Sequence, residues 1–359
     1  MLSSIKILDK DINLLGIIDA YESFNLTRRF YNYGEFELRI NANRPHVDKL
    51  IKNNLILLGK AYNKVGIVLH REFNYQQGGE NTDLLLIKGI TLQGLAKRKR
   101  IVPPVDMDFD SCEGSQETIM KYFINKNCIN PIDPKRKVYN LILAEDKRRG
   151  INDRWRSSYE NLADKLKTIG EYSKLGWNIS LDHRQKKFIF DVMQGKNLTV
   201  NQNANPPVIF RSDFNNIFTR HYIESIINSS NVAYAGTRED KDKIVLQIGE
   251  ATGFERIETF VDCNSDDIEE INQTGKAKLQ ELKELKTFEL DVDPFKTFIY
   301  EKDYDLGDIV TIQDRKLKIT MDSQITEVQE HYGKEGSKLK ITFGSSIPTL
   351  LTAIKRMVR

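Results

Sequence analysis

The sequence predicts an α+β, β-rich fold divided among several domains. Three observations carry this. Short β-branched and aromatic runs with a period of two recur from Ile5 to Phe343. Helical spacing is confined to a few isolated stretches. The chain has 359 residues, more than the roughly 100 to 200 of one domain, so two to four cores are expected.

Residues 1–104 read as mostly strand. Ile5, Ile7 and Leu8, then Leu14 to Ile18, are apolar runs cut by turn residues, and Phe24 and Leu26 continue with period two. Phe36-Glu37-Leu38-Arg39-Ile40 follows after the turn Asn32-Tyr33-Gly34. Leu55 to Leu58 has the composition of a strand buried on both faces, with a helix as the alternative that periodicity alone leaves open. Gly66 to Leu69 and Leu84 to Ile87 flank the polar loop Tyr75 to Thr82, and a short helix is expected over Thr91 to Ala96. Pro103-Pro104 closes a small β-sandwich or barrel.

Residues 105–215 read as an inserted α/β domain. A helix from Ser115 to Ile129 carries Ile119, Met120, Phe123 and Ile124 on one face. A second is expected to begin at Ser157, because Ser157-x-x-Glu160 has capping-box spacing, with Tyr159, Leu162, Ala163, Leu166 and Ile169 as its apolar face and Gly176 as its stop. Trp177 to Asp182 and Lys187 to Val192 form a hairpin.

Residues 216–262 form a β-rich connecting domain. Its strands are expected at Ser225 to Ile227, Val232 to Gly236, Ile244 to Ile248 and Thr259 to Asp262, with the charged turn Arg238 to Lys243 between two of them. Residues 263–359 open with a helix from Asp266 to Lys286. Its apolar positions are Ile268, Ile271, Gly275, Leu279, Leu282 and Leu285, and a charge placed at Leu282 should disrupt folding or assembly. A helix lying on a sheet is the simpler reading of that stripe than a coiled-coil seam. Ile309 to Ile312, Leu317 to Val328 and Leu339 to Phe343 then form an antiparallel meander, with a bulge near Gln324 to Glu327 where the alternation slips. Pro348 near the start of an apolar face ending at Val358 predicts a terminal helix.

Composition excludes several classes. The net charge of +3 argues against nucleic acid as the main partner. The dense basic run Lys97-Arg98-Lys99-Arg100 reads as a solvated helix end more simply than as a phosphate or anionic-lipid contact. Cys112, Cys128 and Cys263 form no CxxC pair, so neither a zinc ribbon nor a disulfide framework is expected, and a reducing cytoplasm is the simplest place of folding. No signal peptide or apolar run of spanning length is present.

Chemistry is sparse. No HExxH, P-loop, GxGxxG or GxSxG pattern occurs, and His46, His70, His183, His221 and His331 are scattered. Asp266 with Asp267 and Asp291 with Asp293 are carboxylate pairs, but a helix N-terminus and the turn before Pro294 account for them. No catalytic, cofactor or metal residue is assigned. Arg256 and Glu258 share a strand face with Phe260, where they can pair locally or meet a neighbouring subunit.

Several segments together resemble one family, the baseplate hub or tail-associated proteins of long-tailed bacteriophages and phage tail-like particles. They are Thr27-Arg28-Arg29-Phe30-Tyr31 with Gly34-x-Phe36-x-Leu38, Gly66-Ile67-Val68, and Gly89-x-x-Leu92-x-x-Leu95-x-x-Arg98. Leu175-Gly176-Trp177, Gly253-Phe254-x-Arg256-x-Glu258-x-Phe260-Val261-Asp262, Asp305-x-Gly307-Asp308-x-Val310 and Ile325-Thr326-Glu327-Val328 complete the series. The resemblance implies two tail-tube-like β-barrels per subunit and a homotrimer presenting six similar units to a six-fold tube. It also implies the tail tube or distal tail protein, the tape measure protein and tip or fibre proteins as partners, with DNA or translocated protein passing through the lumen without sequence-specific binding. The protein would be made in the host cytoplasm and reside in the tail baseplate. Many relatives carry a peptidoglycan-cleaving or fibre extension; with the last residue at Arg359, that activity is expected from another protein. A cell-wall hydrolase and a carbohydrate-binding receptor module, the latter using the aromatic stretch Phe30 to Phe36, are the alternatives.

Overall fold

The computed structural model describes residues 3–59, 61–74, 83–211, 217–237, 244–263, 265, 267–334 and 336–344. The loop Tyr75 to Thr82, the turn Arg238 to Lys243, Asp266 and the terminal helix predicted around Pro348 lie outside them.

The first block supplies seven strands: β1 (Ile5–Leu8), β2 (Leu14–Ile18), β3 (Ser23–Arg29), β4 (Glu35–Asn41), β5 (Leu55–Leu58), β6 (Val65–Asn74) and β7 (Leu84–Thr91). They pair antiparallel in the order β3-β4-β7-β6-β5-β1-β2. Period-two patterning does what it predicts in β4, where Phe36, Leu38 and Ile40 are buried and their neighbours are not. All four residues of β5 are buried because its two faces serve different cores: Ile56 and Leu58 join Phe24 and Leu38, whereas Leu55 and Leu57 face Phe123 and Trp177. Phe36 lies across Gly66 and Gly89, where a Cβ would come within 2.4 Å of its ring, so two separate glycine motifs answer to one aromatic side chain. Helix α1 is a single turn, Gly94–Lys97, beginning later than expected because Thr91 still belongs to β7.

In the second block β8 (Asp110–Ser115) leads into α2 (Gln116–Ile124), whose first turn is capped by the Ser115 hydroxyl accepting from Thr118 N at 3.3 Å. Ile119, Met120, Phe123 and Ile124 are buried as their spacing requires. Next come β9 (Leu141–Leu143), β10 (Asn152–Ser157), α3 (Leu162–Ser173), β11 (Gly176–Asp182) and β12 (Lys187–Met193). The last two are the predicted hairpin, and β9 adds parallel to β12. Helix α3 corrects the sequence reading at both ends. Ser157 ends β10 and donates its hydroxyl to Glu160 at 3.0 Å, while the cap is Asn161, whose side chain accepts from Ala163 N and Asp164 N. Tyr159 has φ +50° and is 65% exposed, so it is no part of the helix face. At the other end Lys174 takes the left-handed position and Gly176 starts β11. Two short strands, β13 (Asn197–Leu198) and β14 (Ile209–Arg211), complete the block.

The third block opens with β15 (Ile217–Ser225), a longer and earlier strand than the expected Ser225 to Ile227; Ile226 and Ile227 are exposed beyond it. A small sheet follows, ordered β17-β16-β18, from β16 (Val232–Gly236), β17 (Val245–Ile248) and β18 (Glu258–Asp262). Helix α4 (Ile268–Glu281) lies on it through Ile271 and Gly275, against Ala233, Ala235 and Ile248. Asp267 caps it, accepting from Glu269 N at 3.0 Å. Leu282 is its half-buried C-cap, and Leu285 belongs to a strand the sequence did not predict, β19 (Leu285–Val292).

The chain closes with β20 (Ile309–Asp314), β21 (Ile319–Gly333) and β22 (Gly336–Gly344), the predicted meander. Ile319 to Gln324 of β21 pairs with β20, and the remainder pairs with β22. The register shift between Ile325 and Glu327 marks the change of partner, which is the physical reason for the predicted bulge. On its other side β21 pairs with β3 from Glu327↔Arg29 to Gly333↔Ser23. That ladder fuses the first and last blocks into one 14-stranded sheet running from β15 to β2. Among the described residues no sheet closes into a barrel.

Candidate functional site

The β3–β21 ladder is where the chain's distant segments are fastened together. In β3, Arg28 falls in the inward register of Phe24 and Leu26, and in β21, Glu330 falls in that of Val328. Two charges thus enter the interior at strand positions otherwise apolar. Arg28 is 7% exposed and Glu330 3%, so both must find partners.

They do. Lys64, in the turn before β6, reaches Glu330 Oε2 at 2.7 Å and Glu301 at 2.9 Å. Arg28 Nη1 donates to the Tyr300 hydroxyl at 2.8 Å and lies 3.2 Å from Glu301, 3.3 Å from Asp305 and 3.7 Å from Glu330 Oε1. The hydroxyls of Tyr300 and Tyr332 donate to the two oxygens of Glu330 at 3.0 and 2.6 Å. Burial would push the Glu330 carboxyl up, but Lys64 and Arg28 together with the Tyr332 hydrogen bond hold it below the usual carboxylate range. Burial and the neighbouring acids keep Tyr332 protonated well above its ordinary range. Every charged group in the cluster is engaged, and no nucleophile stands beside a free base. The arrangement fixes the segment after β19 to the N-terminal strands.

A second joint lies one residue beyond β3. Phe30 is fully buried between Gly176 and Gly307, where a Cβ would lie 2.5 and 2.2 Å from its ring. Phe30 N donates to Thr326 O at 3.0 Å, and its carbonyl accepts from Trp177 N at 3.2 Å. The Trp177 indole donates to Tyr31 O at 2.8 Å. Three of the quoted motifs therefore meet at one aromatic ring.

A third cluster holds the inserted block. Glu117 is fully buried and receives Lys121 Nζ at 2.7 Å, Arg149 Nε at 2.8 Å, and the amides of Lys147 and Arg149 at 3.2 and 3.0 Å. Burial raises its pKa, but these donors outweigh it and bring the carboxyl down to about 2.

The residues weighed for chemistry stay apart. His70 faces Glu72 at 3.3 Å, His183 stacks on Tyr62 at 4.9 Å, His221 lies 3.6 Å from Glu289, His331 contacts Asn25 at 2.6 Å, and His46 precedes a short turn next to Gly16. Asp293 accepts from Phe295 N and pairs with Lys296, as a turn before Pro294 requires, and Asp291 accepts from the Thr219 hydroxyl. Arg256 pairs locally with Glu258 at 2.5 Å and also reaches Tyr234 and Gln247. Burial pushes the Cys128 thiol up to about 12 and that of Cys112 up to about 11, away from a reactive thiolate. Among the described residues no group of three or more His, Cys, Asp or Glu could hold a metal, and no helix is long and apolar enough to cross a membrane. Phe30, Tyr31 and Phe36 are buried, so of the aromatic stretch considered for sugar binding only the half-buried Tyr33, covered by Lys97, reaches the surface. Sequence reasoning missed the Arg28–Lys64–Glu330 cluster; its one signal was a charge in register with inward apolar residues.

Three solved structures share this architecture over nearly their whole length. The tail protein from Neisseria meningitidis MC58 superposes with TM-score 0.61 at 12% identity, covering 96% of this chain and 97% of its own. The 43 kDa tail protein of prophage MuSo2 from Shewanella oneidensis gives 0.60 at 11% identity, covering 96% and 98%. The prophage tail protein gp18 from Listeria monocytogenes EGD-e gives 0.57 at 10%, covering 99% and 98%. Comparison with curated protein sequences found no match. The fold is thus that of phage tail proteins, as the motif resemblance implied. A family model described as Siphovirus ReqiPepy6 Gp37-like protein matches residues 4–345, and the chain belongs to that family.

Proposed function

We propose that the chain is a baseplate hub, a non-enzymatic homotrimeric ring that joins a six-fold tail tube to the tail tip. In this reading residues 1–104 and 263–359 supply the two tube-like units, and 105–215 and 216–262 extend from them. Three chains then present six units to the tube or distal tail protein. Tape measure and tip or fibre proteins adjoin the ring, and DNA or translocated protein passes through the lumen.

One observation carries the reading. The main path of the fused sheet ends at β2 and β15, each paired on one side only among the described residues. Leu14 and Ile17 on β2 are 56% and 41% exposed, and Phe218 on β15 is 62% exposed. Open apolar edges invite uncontrolled pairing unless they are covered, and a closed ring of copies covers them without leaving new ones. Electron microscopy of the purified protein tests this: rings of three with a central hole support it, and uniform monomers at high concentration sink it. Clearing of a peptidoglycan gel by the purified chain would contradict the non-enzymatic role.

A further inference from the structure

The most deeply placed cations of this fold, such as Arg28, Arg29, Lys64, Lys121, Arg149 and Arg220, are matched to acids. One surface gathers cations that are not. The fold sets Lys97-Arg98-Lys99-Arg100 against Lys135-Arg136-Lys137, two basic runs separated in sequence by β8 and the whole of α2. The Arg136 guanidinium donates to Arg100 O at 2.5 Å and Asn127 Oδ1 at 3.3 Å, and the Lys99 ammonium donates to Arg136 O. Neutral oxygens thus lace the runs together. Lys97, Arg98, Arg100, Lys135 and Lys137 are exposed, and Lys97 sits over the Tyr33 ring at 4.6 Å. None of the cations in the two runs has a carboxylate partner among the described residues.

The nearby acids offset only part of this charge. Asp133 sits in the second run's own turn, where it accepts from Lys135 N at 3.0 Å, and Glu160 is held by Ser157 and Lys165. Gathering so many like charges with little counter-charge is unfavourable in the free protein, so the cluster is expected to be neutralised by something outside the chain. Ile132 and Tyr139, on either side of the second run, are 68% and 73% exposed. Binding to a phosphate backbone rests mainly on cations and gains little from an exposed aliphatic group such as Ile132. A lipid headgroup layer takes both, phosphates on the cations and apolar or aromatic side chains in the interfacial zone.

We infer that this face, built from Lys97 to Arg100 and Ile132 to Tyr139, docks on an anionic lipid surface. The sequence did not predict that the second run lies against the first.

The test is co-sedimentation of the full chain with vesicles of equal parts phosphatidylglycerol and phosphatidylcholine, and with pure phosphatidylcholine. Binding is expected only to the anionic vesicles and should weaken with added salt. Each cation near such a surface contributes about a fivefold gain in partition, so joint Arg100→Gln, Lys135→Gln and Lys137→Gln should weaken it about a hundredfold. Joint Ile132→Ser and Tyr139→Ser should also weaken it. Thermal unfolding should fall in neither variant, because these side chains are exposed, and the triple Gln variant should unfold at the same or a higher temperature as like-charge repulsion is relieved. Equal binding to pure phosphatidylcholine, or none to anionic vesicles, overturns the inference. So does retention of duplex DNA fragments by the Ile132→Ser, Tyr139→Ser variant together with unchanged vesicle binding, which would point to nucleic acid.

Discussion

Lys64 Nζ lies 2.7 Å from Glu330 Oε2, joining residues 266 positions apart in the chain through a contact closed off from water. Arg28 approaches the other oxygen of the same carboxylate at 3.7 Å. Removing the shared acid leaves two buried cations without it. Glu330→Leu should therefore destabilise the protein by about 3 to 5 kcal/mol, read as a fall in the urea midpoint at unchanged slope. A change below about 1 kcal/mol would mean that water enters the cluster.

Acid should loosen the molecule in a defined window. Glu117 and Glu330 both titrate below the ordinary 4.5 when folded, Glu117 at about 2. The unfolded chain therefore binds more protons in acid. The stability these groups contribute is full above about pH 4.5 and is lost as pH falls through their folded values. The melting temperature should drop between pH 4.5 and 2, and Glu117→Gln, already destabilised at neutral pH, should show a shallower drop. An equal slope in the variant would assign the acid sensitivity elsewhere.

Phe30 leaves no room for a methyl group at Gly307, whose φ of +96° also disfavours any side chain. Gly307→Ala should cost about 1 to 3 kcal/mol from overpacking, with backbone strain added. Phe30→Leu, itself destabilising, should recover part of that cost in the double variant. Strict additivity in a double-mutant cycle would show that the two residues do not meet.

Helix α3 begins at Asn161, not at Ser157. Asn161→Ala should lower stability by about 1 kcal/mol, and Ser157→Ala by clearly less, since that hydroxyl caps no helix. Amide exchange should show Leu162 to Leu166 as the helix's first turn.

What the sequence made legible was local. The 177–192 hairpin, the closing meander and the bulge after Gln324 all follow from period two and its interruption. Helix α3 was misplaced because Ser157-x-x-Glu160 imitates a capping box, even forming its side-chain contact, at the end of a strand. Strand β19 was missed because Leu279, Leu282 and Leu285 keep helical spacing across the break. The β3–β21 ladder and the buried ion cluster were out of reach. Both depend on pairing across some three hundred residues, which no local period encodes. The conjunction of two basic runs was hidden for the same reason.

The central claim is that the open ends of the fused sheet are covered by other copies of the chain. Light scattering on the purified protein tests it most directly. The account predicts a particle of three 41.5 kDa chains that persists on dilution into the low micromolar range. A single 41.5 kDa species at every concentration, with β2 and β15 exchanging their free amides at unprotected rates, would contradict it.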